Sequence, residues 1–284
     1  MSSVCVEIAV RDDPHLVVAL GSLVGQTRTP DRVLIAASQD SSVDFLQSAV
    51  RAHPSLKIQF ARFSGGVVGA RAGAQALVLE EITAFLDSDE RAPPGWLAQI
   101  VGPIERGEAD FTGGPTRPSQ PARSSVEEYM QLLEGSIYGE LVPSRVTYLP
   151  LQNTAWRSRV LQDLGFDPRI PFAEDHDLET RAVQAGLRGT FVPGAWVYHD
   201  TEPGVTHFQW ARKRYRYLVA MTMSLVKNHE LGRRLGEHRV PVRHRLRWVE
   251  GAMKPVALVH GRVRWSRVRR RPLVVPRPVP EPTA

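Results

Sequence analysis

A single cysteine, Cys5, stands in 284 residues and has no partner for an intrachain bridge. That excludes a disulfide-stapled secreted scaffold and predicts a reducing, cytoplasmic setting. No apolar run approaches the roughly 18 residues of a membrane span, and no basic flank precedes a long apolar stretch at the N-terminus. Glycine is absent from residues 10–14 (VRDDP), so the phosphate loop that a nucleotidyltransferase needs after its first strand is missing. The glycines at 65, 66 and 69 come late and with the wrong spacing for a dinucleotide fingerprint, which argues against a dehydrogenase. Hydrophobic residues, at 42%, are plentiful enough for a packed core, so wholesale disorder is excluded.

The formal charge of +6 is unevenly placed. Residues 261–284 hold seven arginines and one acid, Glu281, and the rest of the chain has 29 basic and 29 acidic residues. A nucleic-acid reader carries its charge on a folded face, so no nucleic-acid partner is expected. The end of the tail, PLVVPRPVPEPT, is too rich in proline for a packed helix or a central strand. It reads either as a disordered, solvated end or as a basic arm making peripheral contact with anionic lipid or another acidic partner.

Short apolar segments at 4–10, 32–37, 56–61 and 82–86 alternate with helical stretches at 16–24, 43–52 and 69–79. This pattern predicts βαβ units and an α/β fold with a mostly parallel sheet, ligands binding at the carboxyl ends of the strands. Further helices are expected from Pro93 to Ile104, over 124–138, 175–185 and about 206–225, with short strands at 109–114 and 195–199. One compact two-lobed domain with a tail is the simplest organisation.

Three polar features carry candidate chemistry. Asp87-Ser88-Asp89 directly follows the ITAFL strand, where two acids one residue apart either cap a turn or face one divalent cation, with Mg²⁺ or Mn²⁺ suited to such oxygen ligands. Glu174-Asp175 opens a helix, where acids complement the dipole or, facing a bound hydroxyl, act as a general base. His199 ends a strand, as a structural imidazole or as an added metal ligand. The basic, aromatic segment HFQWARKRYRY at 207–217 reads as a solvated helix face or as a source of cations and rings beside the site.

In order and spacing, four segments resemble the family 2 glycosyltransferases, which have the GT-A fold. Residues 20–32 (LGSLVGQTRTPDR) look like the family's first helix and turn. Residues 85–97 (FLDSDERAPPGWL) are similar to its DXD segment, and residues 153–161 (NTAWRSRVL) to its acceptor-side segment. Residues 172–199, with Glu174-Asp175 and Tyr198-His199, are similar to its "ED" helix and histidine strand.

The resemblance implies a transferase that moves a sugar from a nucleotide-diphosphate sugar to an acceptor hydroxyl with inversion. By similarity, Asp87 approaches the donor, Asp89 binds the metal, Asp175 is the base, His199 is a further metal ligand and Arg71 lies near the nucleotide. It also implies a nucleotide-sugar-binding lobe at 1–106, an acceptor-side lobe at 107–226 and a C-terminal extension at 227–284. The acceptor itself is not readable from the sequence, which leaves a glycan, a lipid-linked acceptor and a small molecule equally open. After the second strand the family commonly places an Asp against the base, whereas this chain has Ala37-Ser38, leaving Asp40 as a reserve candidate. Two other functions share these residues: a metal-dependent phosphoester or pyrophosphate hydrolase built from Asp87, Asp89, Asp175, Asp177 and His199, and a non-catalytic sugar-nucleotide-binding protein.

Overall fold

The computed structural model of the chain describes residues 1–139, 149–200, 204–230 and 244–280. Strand β1 (Val4–Val10) is buried along its whole length, as a strand covered on both faces must be. It pairs in parallel with β2 (Arg32–Ser38) on one side and with β4 (Ile82–Leu86) on the other, and β2 pairs in parallel with β3 (Ile58–Phe63). The connecting helices are α1 (Leu16–Val24), α2 (Val43–Arg51) and α3 (Gly66–Ala74). Alternation along β1 sorts its side chains. Val4, Val6, Ile8 and Val10 join a core with α1 and with α4 (Trp96–Glu105), while Cys5 turns to the α3 side with Leu34, Phe63 and Ala70. The expected strand–helix alternation therefore holds through Leu86, with β3 starting at Ile58 and α3 at Gly66.

Beyond β4 the chain departs from a purely parallel plan. After β5 (Glu90–Arg91) and α4 come β6 (Phe111–Gly113), β7 (Thr116–Arg117), α5 (Ser125–Gly139) and β8 (Asn153–Arg157). Strand β8 inserts antiparallel between β4 and β6, so the seven-stranded order becomes β3-β2-β1-β4-β8-β6-β9, with β9 at Gly189–Phe191. Sequence inspection does not expect β8, because NTAWR lacks an alternating or β-branched run. Its place comes from tertiary packing: Trp156 stacks on Phe111 with ring centroids 4.4 Å apart, and Thr83 shares a hydrogen bond with Ser158. Next follow α6 (Ser158–Leu164), α7 (Glu174–Gln184), β9 (Gly189–Phe191) and β10 (Val197–His199). A small second sheet, β5-β10-β7, lies beside the end of β4.

Among the described residues two long helices follow: α8 (His207–Lys227), opened by a Thr206–Gln209 capping box, and α9 (Arg245–Val268). Glu250 of α9 accepts two hydrogen bonds from Arg214 and one from Tyr129, clasping α5, α8 and α9 together. At the crossing of α8 and α9, a methyl group on Gly261 would lie 2.5 Å from Thr222 Cβ and 2.7 Å from the Val219 carbonyl. Alanine ordinarily stabilises a helix interior over glycine. Here Gly261→Ala should instead destabilise by about 1–3 kcal/mol through overpacking, read by urea unfolding. A stability equal to or above that of the parent chain would show that the helices do not touch there.

A disordered end is expected from the prolines, and residues 272–280 depart from that expectation. Phe63 of β3 forms an antiparallel bridge with Pro278, and Val279 N–H donates to the Arg62 carbonyl at 2.7 Å. Prolines are tolerated there because an edge position does not require every N–H. Glycines allow the close approach, since a methyl on Gly73 would meet the Pro276 carbonyl at 2.7 Å. Residues 281–284 lie outside the described residues.

Candidate active site

The buried strand β4 delivers Asp87, Ser88 and Asp89 to a turn at its carboxyl end, and Glu90 closes that turn by accepting from the Asp87 N–H at 3.0 Å. Ser88 donates to Asp13 at 2.8 Å, joining the corner to the turn after β1. Burial pushes Glu90 well above the usual carboxylate range, and the neighbouring Asp87 charge adds to the effect.

Arg71 is the centre of the arrangement. It projects from α3 and is 6% exposed. One terminal nitrogen donates to Glu174 at 2.6 Å and the other to Asp87 at 2.5 Å. The guanidinium therefore ties the acidic corner to the start of α7, 103 positions away in sequence from Glu174 and 16 from Asp87. Resemblance puts Arg71 near the nucleotide; in the structure its two terminal nitrogens are engaged by these carboxylates. Burial raises Asp87 above the ordinary range, with Arg71 opposing and Asp89 adding to the rise. Burial raises Glu174 in the same way, against Arg71 and with Asp175.

Beneath Arg71 lies Glu7, fully buried on the α3 side of β1. Its carboxylate accepts from Gln75 at 2.7 Å, and burial raises its pKa to about 8 despite Arg71 and Gln75. Sequence reasoning passes over Glu7, although an acid inside the apolar run VCVEIAV is the signal that could have found it.

Asp175 follows Glu174 in the first turn of α7 and is half-buried. One of its oxygens accepts from the His176 N–H at 2.7 Å. Its charge acts on Arg71, Asp87 and Glu174, so it belongs to the same cluster. Just before it, Phe172 has φ of 70°, in the left-handed region, at a cost of about 1–3 kcal/mol for a bulky residue. The Arg216 guanidinium sits over the Phe172 ring, 4.2 Å from its centroid, and holds that turn from α8. Asp177, two residues on, faces elsewhere. It is fully buried and receives Arg181 at 3.0 Å, with Lys227 and Asn228 each at 2.9 Å. This position takes one acid out of the hydrolase arrangement suggested by sequence.

His199 arrives from β10 beside β5. Its Nε2 lies 3.5 Å from Asp89, and its Nδ1 lies 3.3 Å from Glu134 of α5, a neighbour that sequence reasoning did not identify. Burial alone would lower its pKa, but the two carboxylates raise it well above the usual histidine value. Asp89 is held below the ordinary range: burial opposes this, and His199 outweighs it. Asp40 lies on the neighbouring corner after β2, exposed and 4.0 Å from Arg11.

The donor chemistry suits a hard divalent cation, since Asp87 and Asp89 supply carboxylate oxygens from one turn and His199 stands alongside Asp89. Among the described residues no group of three or more His, Cys, Asp or Glu side chains is arranged to hold a metal ion. Next to Asp89 a cavity of about 680 Å³ opens between α1 and the segment before α5, lined among others by Asp13, His15, Arg91, Tyr198 and Asp200.

A family model described as glycosyl transferase family group 2 matches residues 82–273. A pre-mycofactocin glycosyltransferase of Mycobacterium tuberculosis is 30% identical over 161 residues, covering 53% of this chain and 33% of that protein. The chain thus spans about a third of the length of the curated relatives it matches. Among solved structures, a mannosyltransferase from Pyrobaculum calidifontis in complex with GDP-Man and Mn²⁺ has a TM-score of 0.62 at 16% identity. That match covers 96% of this chain and 76% of the other. S. aureus TarS 1–349 in complex with UDP-GlcNAc has a TM-score of 0.56 at 16% identity, covering 94% and 91%. These folds are GT-A, and the sheet described above has the same architecture.

Proposed function

Given that the chain belongs to glycosyl transferase family group 2, we propose that it moves a sugar from a nucleotide-diphosphate donor to an acceptor hydroxyl with inversion. The observation that carries this reading is the Arg71 bridge, which sets the acidic corner and the Asp175 helix turn on two sides of one cluster. Asp87 and Asp89 would hold a Mg²⁺ or Mn²⁺ ion, which when bound offsets the charge growing on the departing diphosphate. A structural neighbour that holds GDP-Man with Mn²⁺ supports both the donor class and the metal.

Asp175 accepts the proton of the acceptor hydroxyl while that oxygen bonds to the anomeric carbon. The bond from that carbon to the diphosphate oxygen breaks, and its electron pair leaves with the nucleoside diphosphate. Attack opposite the leaving group inverts the centre. Arg71 keeps Asp87 and Glu174 fixed, so Asp175 starts from a set distance to the donor corner. His199 stands 3.5 Å from Asp89, and in its neutral form its Nε2 would be a further ligand to that ion. Asp40, on the adjacent strand end, is proposed as a donor contact near the base.

The test is thermal unfolding with a panel of nucleoside diphosphates, with and without Mn²⁺. At a hundredfold excess over Kd, a native-state ligand contributes about 2.7 kcal/mol, enough to raise the midpoint by several degrees. Asp89→Asn should lose the Mn²⁺-dependent part of that rise, and chelation should remove it from the parent chain. A rise that ignores both Mn²⁺ and Asp89 would sink the metal assignment. Donor breakdown at full rate without any acceptor would replace transfer with hydrolysis.

A further inference from the structure

Helix α9 is apolar on two opposite sides, and among the described residues only one of them is packed inside the protein. The inner side, with Leu246, Ala257, Gly261 and Trp265, is buried. Trp248, Ala252, Val256, Val259 and Val263 recur at intervals of four, four, three and four residues, which places them in one stripe along the helix. At 100° per residue that stripe points away from the buried side. Trp248 is 84% exposed, Val256 60% and Val259 63%. The chain leaving the helix keeps Leu273 and Val274 exposed as well.

Positive charge surrounds this stripe. Arg245, Arg262, Arg264, Arg267 and Arg270 are all exposed. Between Arg245 and Arg271 the one acid is Glu250, which is buried and occupied by Arg214 and Tyr129. No described helix is long and apolar enough to cross a membrane.

We propose that the outer face of α9 docks on an anionic lipid bilayer, with Trp248 and the valines at the acyl boundary and the arginines among the headgroups. The charge pattern selects this occupant. A second copy of the chain would bring two arginine-flanked faces together, and like charges repel. A nucleic acid would meet the arginines but leave the tryptophan and valines in water. A bilayer with anionic headgroups satisfies both. This inference goes beyond the sugar-transfer reading and is tested independently of it.

The experiment is flotation of the full chain with vesicles of equimolar phosphatidylglycerol and phosphatidylcholine, against pure phosphatidylcholine vesicles. The chain should bind the anionic vesicles and should lose binding as salt is raised. Trp248→Ser combined with Val256→Ser and Val259→Ser should weaken binding on the order of 100-fold. Its thermal midpoint should match the parent's, because these side chains are mostly exposed. The independent variant Arg245→Gln/Arg262→Gln/Arg270→Gln should also weaken binding on the order of 100-fold, through charge alone. The proposal is overturned if no vesicle binds the parent chain, or if a folded serine variant floats as well as the parent. It is equally overturned if α9 instead mediates dimers or duplex DNA retention with no vesicle binding.

Discussion

Asp175→Asn should lower the transfer rate on the order of 10³-fold while donor affinity stays within about threefold of the parent value. Asparagine keeps the shape and the acceptor oxygen for the His176 N–H but cannot take a proton. The loss should therefore fall on the chemical step, with donor binding by calorimetry almost unchanged. Asp175 is half-buried in the first turn of α7, so the substitution removes no deeply buried charge and the fold should persist. Transfer at the parent rate by a folded Asp175→Asn chain would remove the base assignment. Asp89→Asn should behave differently, losing metal-dependent donor binding, so the two variants separate the two sides of the reaction.

The second large effect is on stability. Arg71→Met should destabilise the chain by about 3–5 kcal/mol, because Asp87 and Glu174 lose their shared cation and Glu7 beneath them loses its nearest positive charge. The pH dependence has a definite sign. A carboxyl group whose folded pKa is raised costs nothing below its unfolded pKa and costs more as pH climbs toward the folded value. Removing Arg71 removes an influence that lowers Glu7, Asp87 and Glu174. The deficit should accordingly be smallest near about pH 5 and grow toward pH 8, as urea unfolding at several pH values would show. A deficit independent of pH would mean that packing, not charge, explains Arg71.

Legibility in the sequence followed the range of the interactions. Strands β1, β2 and β4 and helices α1 and α2 carry local patterns, namely β-branched runs and amphipathic spacing, and these are readable by inspection. Strand β8 is not, because nothing local in NTAWR demands extension; Phe111, Thr83 and the edge of β4 impose it. The acids at 87, 89 and 175 stand out as short motifs at strand and helix ends. Their coupling through Arg71 does not, since a pairing over 103 positions leaves no periodic trace. Glu134 beside His199 and Asp13 beside Ser88 were hidden for the same reason. Proline content at 272–280 points to an unstructured end because composition reports what a segment cannot form, not which edge it can lean on.

The insertion of β8 has a kinetic consequence. The edge of β4, complete at Leu86, must wait for a neighbour that starts at Asn153, and β6 has no route into the main sheet except through that neighbour. During synthesis the first four strands can therefore assemble on their own while the later portion is still emerging. Union of the halves is a long-distance pairing, the kind that pays loop-closure entropy before any contact rewards it. Refolding should thus show an early phase confined to the amino-terminal strands and a slower one that zips the seam, with hydrogen exchange at Ala155 protected last.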